Sequence, residues 1–138
     1  MPRKIFVNLP VKDLQKTMDF YAALGFTYNM QFTNDKAACM VISDDIYAML
    51  LTEPMFKSFI KKEISDATTT TEVLLALSAD NREEVDEMVS KAIAAGGSQG
   101  NDIQDHGFMY SNSFQDLDGH IWEIFWMDVN AAPPHPEN

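Results

Sequence analysis

Apolar residues recur every three or four positions in two segments, and this spacing predicts two amphipathic helices. The first covers about residues 14–24, with Asp13 as its N-cap and Gly25 as its stop. The second covers about residues 82–95, where Asn81 precedes a glutamate in a capping-box pattern and a glycine pair ends the helix. The two segments therefore begin and end with similar signals.

Shorter runs of apolar residues predict seven strands, several of them bounded by turn sequences such as Asn34-Asp35. The predicted strands cover residues 5–8, 28–32, 37–42, 46–51, 73–78, 108–114 and 121–126. Pro54 suits the first turn of a short helix between the two halves of the chain. The threonine run of residues 68–71 indicates a linker or an extended entry to the next strand.

The order of these elements repeats along the chain, although residue identity between the halves is poor. It predicts an α+β fold in which two βαβββ modules form a curved mixed sheet around a cavity, with the helices outside. We expect one domain over residues 1–128, made of halves at about 1–52 and 72–128 joined by residues 53–71. Residues 129–138 contain three prolines and predict a loose C-terminal tail.

The composition excludes several classes of partner. The chain has 138 residues, is 46% hydrophobic and carries a formal net charge of −11. Such an acidic surface repels phosphate backbones and anionic lipids, so we expect neither nucleic-acid nor membrane binding. The single cysteine, Cys39, cannot form an internal disulfide and is expected to be a buried strand residue. Without a signal peptide or a long apolar segment, the predicted location is cytoplasmic.

Two segments resemble a known group of proteins. Residues 6–14 (FVNLPVKDL) and 19–26 (DFYAALGF) resemble the opening of the vicinal oxygen chelate superfamily, which includes glyoxalase I, extradiol dioxygenases and the fosfomycin and bleomycin resistance proteins. Residues 114–124 (FQDLDGHIWEI) resemble its Asp-Pro-Asp-Gly turn and following strand, with Leu117 in place of the proline. The resemblance spans residues 5–128 and implies the same fold of paired modules.

Members of this superfamily hold a metal with four His or Glu ligands, one from the first and one from the last strand of each half. Carried over to this chain, the resemblance places these ligands at or near Phe6, Leu50 and Leu74, and on Glu123. Only Glu123 has a donor atom for a divalent ion. We therefore expect the four-ligand site to be absent and no cofactor to bind; the alternative is one divalent ion, Zn, Ni or Fe.

A shift of one or two residues offers other oxygen donors for a metal. They are Asn8, Glu53 and Glu72. Strand parity opposes Glu53, because alternate side chains point to opposite faces. Asn8 is a poor ligand for zinc, nickel or iron beside histidine. Strand parity keeps Glu72 and Asn8 on the same faces as Leu74 and Phe6. With Glu53 opposed and Asn8 a poor ligand, we still expect the four-ligand site to be absent.

Two residues are candidate catalytic groups. Glu123 lies in a strand that is apolar on both faces, where it is predicted to act as a general base, a lone metal ligand or a substrate anchor. The alternative is a relic whose carboxylate is satisfied by a neighbouring donor. His106 is predicted to lie near the cavity mouth, where it could transfer protons, or else in an ordinary loop.

The remaining candidates are predicted to contact a bound molecule. Asn8 and Tyr110 are expected to offer hydrogen bonds into the cavity, with Asn112 on the same strand face as Tyr110. The apolar contacts are expected to be Phe6, Leu50 and Leu74. By contrast, we expect His120 to be exposed in its turn and without a role.

Trp122 and Trp126 occupy alternate positions of one predicted strand and so share a face. We expect them to pack under a helix or in a dimer interface rather than to stack on a ligand.

Three functional classes remain open at this point. The first is a metal-dependent lyase of the lactoylglutathione lyase kind, or a dioxygenase, which the resemblance suggests. The second is a metal-free protein that binds a small, partly apolar molecule, as drug-resistance members do. The third is a metal-free enzyme with Glu123 as general base. We favour the second, and expect a homodimer because members often dimerise.

Overall fold

The structure is a computed structural model, and it describes residues 3–130 of the chain. Most of the predicted tail, residues 131–138, lies outside the described part. The first half of the chain contains β1 (Ile5–Val11), α1 (Leu14–Ala23), β2 (Thr27–Tyr28), β3 (Ala37–Val41), β4 (Ile46–Thr52) and the short α2 (Glu53–Lys57). The second half contains β5 (Leu74–Ser78), α3 (Arg82–Ala94), β6 (Ser98–Gln99), β7 (Gln104–Asp105), β8 (Met109–Gln115) and β9 (Ile121–Met127).

Both long helices begin and end at the predicted signals. The Asp13 side chain accepts a 3.0 Å hydrogen bond from the Lys16 amide at the start of α1. The Asn81 side chain does the same for the Glu84 amide at the start of α3, at 2.7 Å. A glycine in the left-handed conformation follows each helix, because this backbone geometry costs a residue without Cβ little. Both predicted helices are confirmed.

The strands form two mixed sheets that follow the same plan. The first has the order β1-β4-β3-β2 and the second the order β5-β9-β8-β6, with β7 also paired to β8. In each sheet the first strand is parallel to the last strand of its module, and the other pairs are antiparallel. The α+β class and the two βαβββ modules are confirmed. The hydrogen bonds define two sheets, of four and five strands, rather than one continuous sheet.

One predicted strand is shorter than expected. The strand predicted over residues 28–32 ends at Tyr28, and a 3-10 turn, Met30–Phe32, follows it. Asn29 caps this turn, since its side-chain oxygen accepts from the Gln31 amide at 3.1 Å. Asparagine side chains compete in this way with the backbone ladder of a strand. The two-residue strands β6 and β7 were not predicted because two residues carry no detectable periodicity.

A single hydrophobic core is shared by the two modules. It joins α1 and α3 to the inward faces of both sheets. The ring of Tyr21 on α1 lies 5.8 Å from that of Trp122 on β9, between centroids, and the ring of Phe20 lies 6.0 Å from that of Phe114. A helix of the first module therefore packs directly on the sheet of the second.

The longest helix within residues 3–130 has 13 residues, and none of the helices there combines the length and apolar composition that a bilayer crossing requires.

Candidate functional site

Strand alternation gives each sheet a core face and an opposite face, which we call the outer face. On β1, Leu9 and Val11 are buried in the core, and Phe6 is on the outer face, 48% exposed. On β9, Trp122 and Ile124 are in the core. Glu123, between them in sequence, is therefore on the outer face of the second sheet.

The outer face of the first sheet contains a cavity of about 450 Å³, which we call the aromatic cavity. Its lining residues are Lys4, Phe6, Asn29, Phe32, Cys39, Tyr47 and Met49. Phe6 and Tyr47 are partners in the β1–β4 register, and their rings stack with centroids 4.7 Å apart and planes 11° apart. Cys39 and Met49 are partners in the β3–β4 register. The pairing of three strands thus builds a mainly apolar wall.

A lysine lies at this wall. The Nζ atom of Lys4 is 5.6 Å from the centroid of the Tyr47 ring. It donates to the carbonyl oxygen of Asp44 at 2.6 Å and lies 3.4 Å from the carboxylate of Asp45. Burial raises the pKa of the Cys39 thiol, so this group is protonated at neutral pH. Lys4 is therefore the charged residue among those lining the cavity.

On the outer face of the second sheet, a loop side chain holds Glu123. Asn101 Nδ2 donates a 2.5 Å hydrogen bond to Oε2 of Glu123. Ser113 is opposite Glu123 in the β8–β9 register, and Ala76 is opposite it in the β5–β9 register. The Ser113 hydroxyl donates to the Asn101 carbonyl at 3.2 Å and accepts from the Asn101 amide. The loop and the strand thus fix the Glu123 carboxylate together.

Glycine allows this loop to lie close to β8. A Cβ atom on Gly100 would be 2.5 Å from Ser113 Oγ and 3.0 Å from Ser113 Cβ. A residue with a side chain at this position would push the loop outward. Gly100 therefore permits the approach that brings Asn101 to Glu123.

The structure places four of the predicted site residues on outer faces. Phe6 and Asn8 share the outer face of β1, and Asn8 Nδ2 donates to the Phe6 carbonyl at 3.1 Å. Asn8 also lines a cavity of about 70 Å³ between β1, the linker and the turn at Gly119. Leu74 and Glu123 share the outer face of the second sheet. These four residues are divided between two sheets.

Three other residues that were predicted to face the cavity lie on the core side. Leu50 is fully buried in the core, whereas its neighbour Met49 lines the aromatic cavity. Tyr110 packs against the core, and its hydroxyl donates to Asp86 of α3 at 2.8 Å. Asn112 donates to the same carboxylate at 3.2 Å. The predicted orientation of Leu50, Tyr110 and Asn112 toward the cavity is corrected, because the strand register turns these positions toward the helices.

The two described histidines have different environments. His106 is exposed beside β7, with Nε2 3.2 Å from Gln104 Oε1. His120 was predicted to be exposed and is instead 9% exposed, with Nε2 2.8 Å from the Pro10 carbonyl oxygen. This contact joins the turn before β9 to the end of β1. The burial of His120 corrects the prediction, because the turn packs on the other module rather than facing solvent.

The same turn contains a buried carboxylate. Tyr21 Oη donates to Asp116 at 2.5 Å and accepts from Trp122 Nε1 at 2.8 Å. Burial raises the pKa of Asp116, although His120 and the Tyr21 hydrogen bond act in the opposite direction. Burial and the Asp116 charge raise the Tyr21 pKa well above its usual value. Because this network lies in the core, it stabilises the fold.

The residues at the superfamily's metal positions do not form a ligand set for a divalent ion. With the β4 position moved from Leu50 to Met49 on the outer face, the four residues are Phe6, Met49, Leu74 and Glu123. Only Glu123 carries an oxygen donor. Within residues 3–130, His, Cys, Asp and Glu side chains form no group of three that could hold a metal ion.

Several residues of the site were not identified from the sequence. Lys4 is two residues before Phe6, and Tyr47 is two residues before Met49, so period-two spacing could have placed them on the cavity face. Asn101 had no such signal. Its position depends on a loop that returns to β8 from the end of α3.

Comparison with known proteins identifies a matching family profile and several similar folds. The sequence profile of the Glyoxalase/Bleomycin resistance protein/Dioxygenase superfamily matches residues 5–124. A search of curated protein sequences found no match. The fold is similar to that of hypothetical protein SA1046 from S. aureus, with 30% identity, a TM-score of 0.76 and coverage of 91% of this chain and 95% of that chain.

Two more distant structures share the fold. A glyoxalase-related enzyme from Fulvimarina pelagi has 19% identity and a TM-score of 0.78, covering 94% of this chain and 91% of that chain. The fosfomycin resistance protein FosX from Listeria monocytogenes has 19% identity and a TM-score of 0.67, covering 94% of this chain and 97% of that chain. At these identities the likeness concerns the fold alone.

Proposed function

Because this chain belongs to the Glyoxalase/Bleomycin resistance protein/Dioxygenase superfamily, we propose that it uses the superfamily fold to bind a small, partly apolar molecule without a four-ligand metal site. The observation that carries this proposal is the aromatic cavity, where a stacked Phe6–Tyr47 pair lies beside Lys4, the one charged side chain among the described lining residues. Its volume of about 450 Å³ is in the range of small-molecule sites. The cavity beside Asn8, at about 70 Å³, is too small for such a ligand.

Another cavity competes for this role. Its volume is about 470 Å³, and it lies between the β3–β4 turn and β5, with Ile46 and Phe125 among its lining residues. The aromatic cavity is the better candidate because exposed stacked rings and a cation give a ligand both contact area and orientation. Variants of the two cavities distinguish them.

The experiment is a thermal-shift screen of small aromatic and aliphatic compounds against the full chain. Compounds that raise the Tm are then titrated against Tyr47→Leu and, as the control for the competing cavity, Ile46→Ala. We expect Tyr47→Leu to remove the shift and Ile46→Ala to keep it. The opposite result would move the site to the other cavity, and the absence of any stabilising compound would overturn the proposal.

The proposed absence of a metal is supported by the donor set, since Phe6, Met49 and Leu74 offer no usable ligand beside Glu123. Its test is elemental analysis of protein purified without chelators, followed by titration with zinc, nickel and iron(II). We expect less than stoichiometric metal and no saturable binding. One tightly bound ion per chain would favour a metal-dependent lyase or dioxygenase.

A second function, a metal-free enzyme with Glu123 as general base, is favoured by one observation. Asn101 occupies Oε2 of Glu123, while within residues 3–130 Oε1 receives no hydrogen bond and is free to accept a proton. Glu123→Gln distinguishes a general base from a substrate anchor. Loss of turnover with ligand binding kept would support the base, and weaker binding without any turnover in the parent would support an anchor.

We also propose a homodimer. Large apolar side chains are exposed on the outer face of the second sheet, including Leu74 at 54% and Met127 at 39%. Pairing with a second copy would cover this surface. Light scattering should give twice the chain mass of 15.6 kDa, and Leu74→Glu should shift the species toward the monomer. A monomer at all concentrations would overturn this proposal.

A further inference from the structure

We infer that the aromatic cavity prefers a planar aromatic acid, in which a flat ring carries a carboxylate. This inference rests on the proposed function and names the ligand class for the same site. The ring would pack on the aromatic wall, and the carboxylate would bond to Lys4. Three features of the cavity support it: the rings, the hydrogen-bond donors and the charge.

The ring packs on a surface that is already flat. Phe6 and Tyr47 are nearly parallel, at 11°, and Phe6 remains half exposed. A third ring can extend this stack or meet it edge-on, which are the two geometries that aromatic pairs prefer. Phe32 and Met49 supply further apolar contact. Planar aromatic ligands therefore use this surface better than bulky aliphatic ones.

Three polar groups at the cavity are donors, whereas the Tyr47 hydroxyl already donates to the Asp44 carbonyl at 2.8 Å. The Oδ1 atom of Asn29 accepts from the Gln31 amide, which leaves Nδ2 to donate to a ligand. Lys4 has three N–H donors and no acceptor. The Cys39 thiol is protonated and offers a weak donor. None of the described lining residues is a carboxylate, so the cavity matches a ligand that accepts hydrogen bonds.

The charge of Lys4 is available to a ligand. Its contact with Asp45 is long, at 3.4 Å, and the two side chains are 46% and 49% exposed. Exposed ion pairs of this kind contribute little stabilising free energy. A ligand carboxylate that packs beside Tyr47 can therefore replace the Asp45 carboxylate as the partner of Lys4. The protein as a whole is acidic, with a net charge of −11, and attracts cations nonspecifically. A preference for an anion would therefore come from the residues of the cavity and not from the electrostatic field of the whole protein.

Three probes with the same ring system test this inference. They are 2-naphthoate, neutral 2-naphthalenemethanol and cationic 2-naphthylmethylamine, titrated against the full chain by calorimetry and by ¹H–¹⁵N NMR. Because an added charge-assisted hydrogen bond separates the first two, we expect 2-naphthoate to bind about tenfold more tightly than the alcohol. The amide resonances of Phe6, Cys39 and Met49 should shift.

Two variant pairs locate the effect. Lys4→Met should remove the preference for 2-naphthoate over the alcohol, and Lys36→Met, which makes the same charge change at an exposed position outside the cavity, should leave the preference intact. Tyr47→Phe keeps the ring and should keep binding, whereas Tyr47→Leu should weaken all three probes.

The outcomes separate this inference from the proposed function. Equal affinity for the acid and the alcohol, or tighter binding of the amine, would overturn the preference for an aromatic acid and leave the proposed binding function standing. Failure of all three probes would overturn the inference, and the thermal-shift screen would then decide the proposed function by itself. Equal effects of Lys4→Met and Lys36→Met would also overturn it, since they would indicate a nonspecific charge effect.

Discussion

The side-chain amide of Asn101 donates a 2.5 Å hydrogen bond to the Glu123 carboxylate, so a loop residue orients a strand residue that lies 22 positions away. Ser113 bonds to the backbone of Asn101 and fixes the loop, while Gly100 allows the loop to lie against β8. Glu123 therefore presents one defined oxygen on the outer face of the second sheet.

The first prediction concerns this loop. Gly100→Ala places a Cβ atom 2.5 Å from Ser113 Oγ and should lower the free energy of unfolding by about 1–3 kcal/mol. Urea denaturation measures the change. In the Ser113→Ala background the same substitution should cost less, because the closest clashing atom is absent. Independent, additive effects of the two substitutions would contradict the close contact.

The second prediction compares two neighbours on β4. Leu50 is fully buried in the core, so Leu50→Ala should cost about 2–5 kcal/mol of stability. Met49 lines the aromatic cavity on the opposite face, so Met49→Ala should cost less and should change ligand affinity. Chemical denaturation and ligand titration of both variants check the assignment of faces. It fails if Met49→Ala is the more destabilising of the two.

The third prediction compares two histidines. His120→Ala removes the 2.8 Å contact with the Pro10 carbonyl oxygen in a buried joint and should destabilise the fold by about 1–3 kcal/mol. His106→Ala removes an exposed contact and should change stability by less than about 0.5 kcal/mol. Thermal unfolding at constant pH measures both, and equal effects would be inconsistent with the buried joint.

The fourth prediction tests the core network. Tyr21→Phe leaves Asp116 and Trp122 without the hydroxyl that joins them, so it should cost about 1–3 kcal/mol. The matched control is Tyr28→Phe, whose hydroxyl donates to the Met18 carbonyl at 3.0 Å in a partly buried position. Denaturant midpoints should fall further for Tyr21→Phe. A larger loss at Tyr28 would count against the network.

The fifth prediction concerns acid stability. Two 2.9 Å hydrogen bonds from Arg82 and one from the Gly107 amide lower the pKa of Asp105 to about 2. Because the folded pKa lies below the unfolded value of about 3.9, this pair stabilises the fold above about pH 4 and is lost as the pH falls toward 2. The Tm difference between the parent and Arg82→Met should therefore shrink from pH 5 to pH 2. A constant difference would assign the effect to lost packing of Arg82 on Tyr110 and Trp126.

Local signals in the sequence determined the element order and the apolar character of the metal positions. Asp13 and Asn81 start the helices, Gly25 ends the first, and the repeated order of elements predicts paired modules. These signals lie within a few residues of one another, where capping and periodicity act. The loss of donors at Phe6 and Leu74 likewise follows from the residue types at those positions alone, because neither side chain carries an atom that binds a divalent ion.

Tertiary structure alone decided which face each side chain occupies. Leu50 and Tyr110 were expected to face the cavity. The side of the sheet to which a strand residue points depends on pairing with distant strands, and a register shift of one residue reverses it. The contacts of Asn101 with Glu123 and of His120 with Pro10 join positions 22 and 110 residues apart. Such contacts depend on how loops pack across modules, which no local spacing encodes.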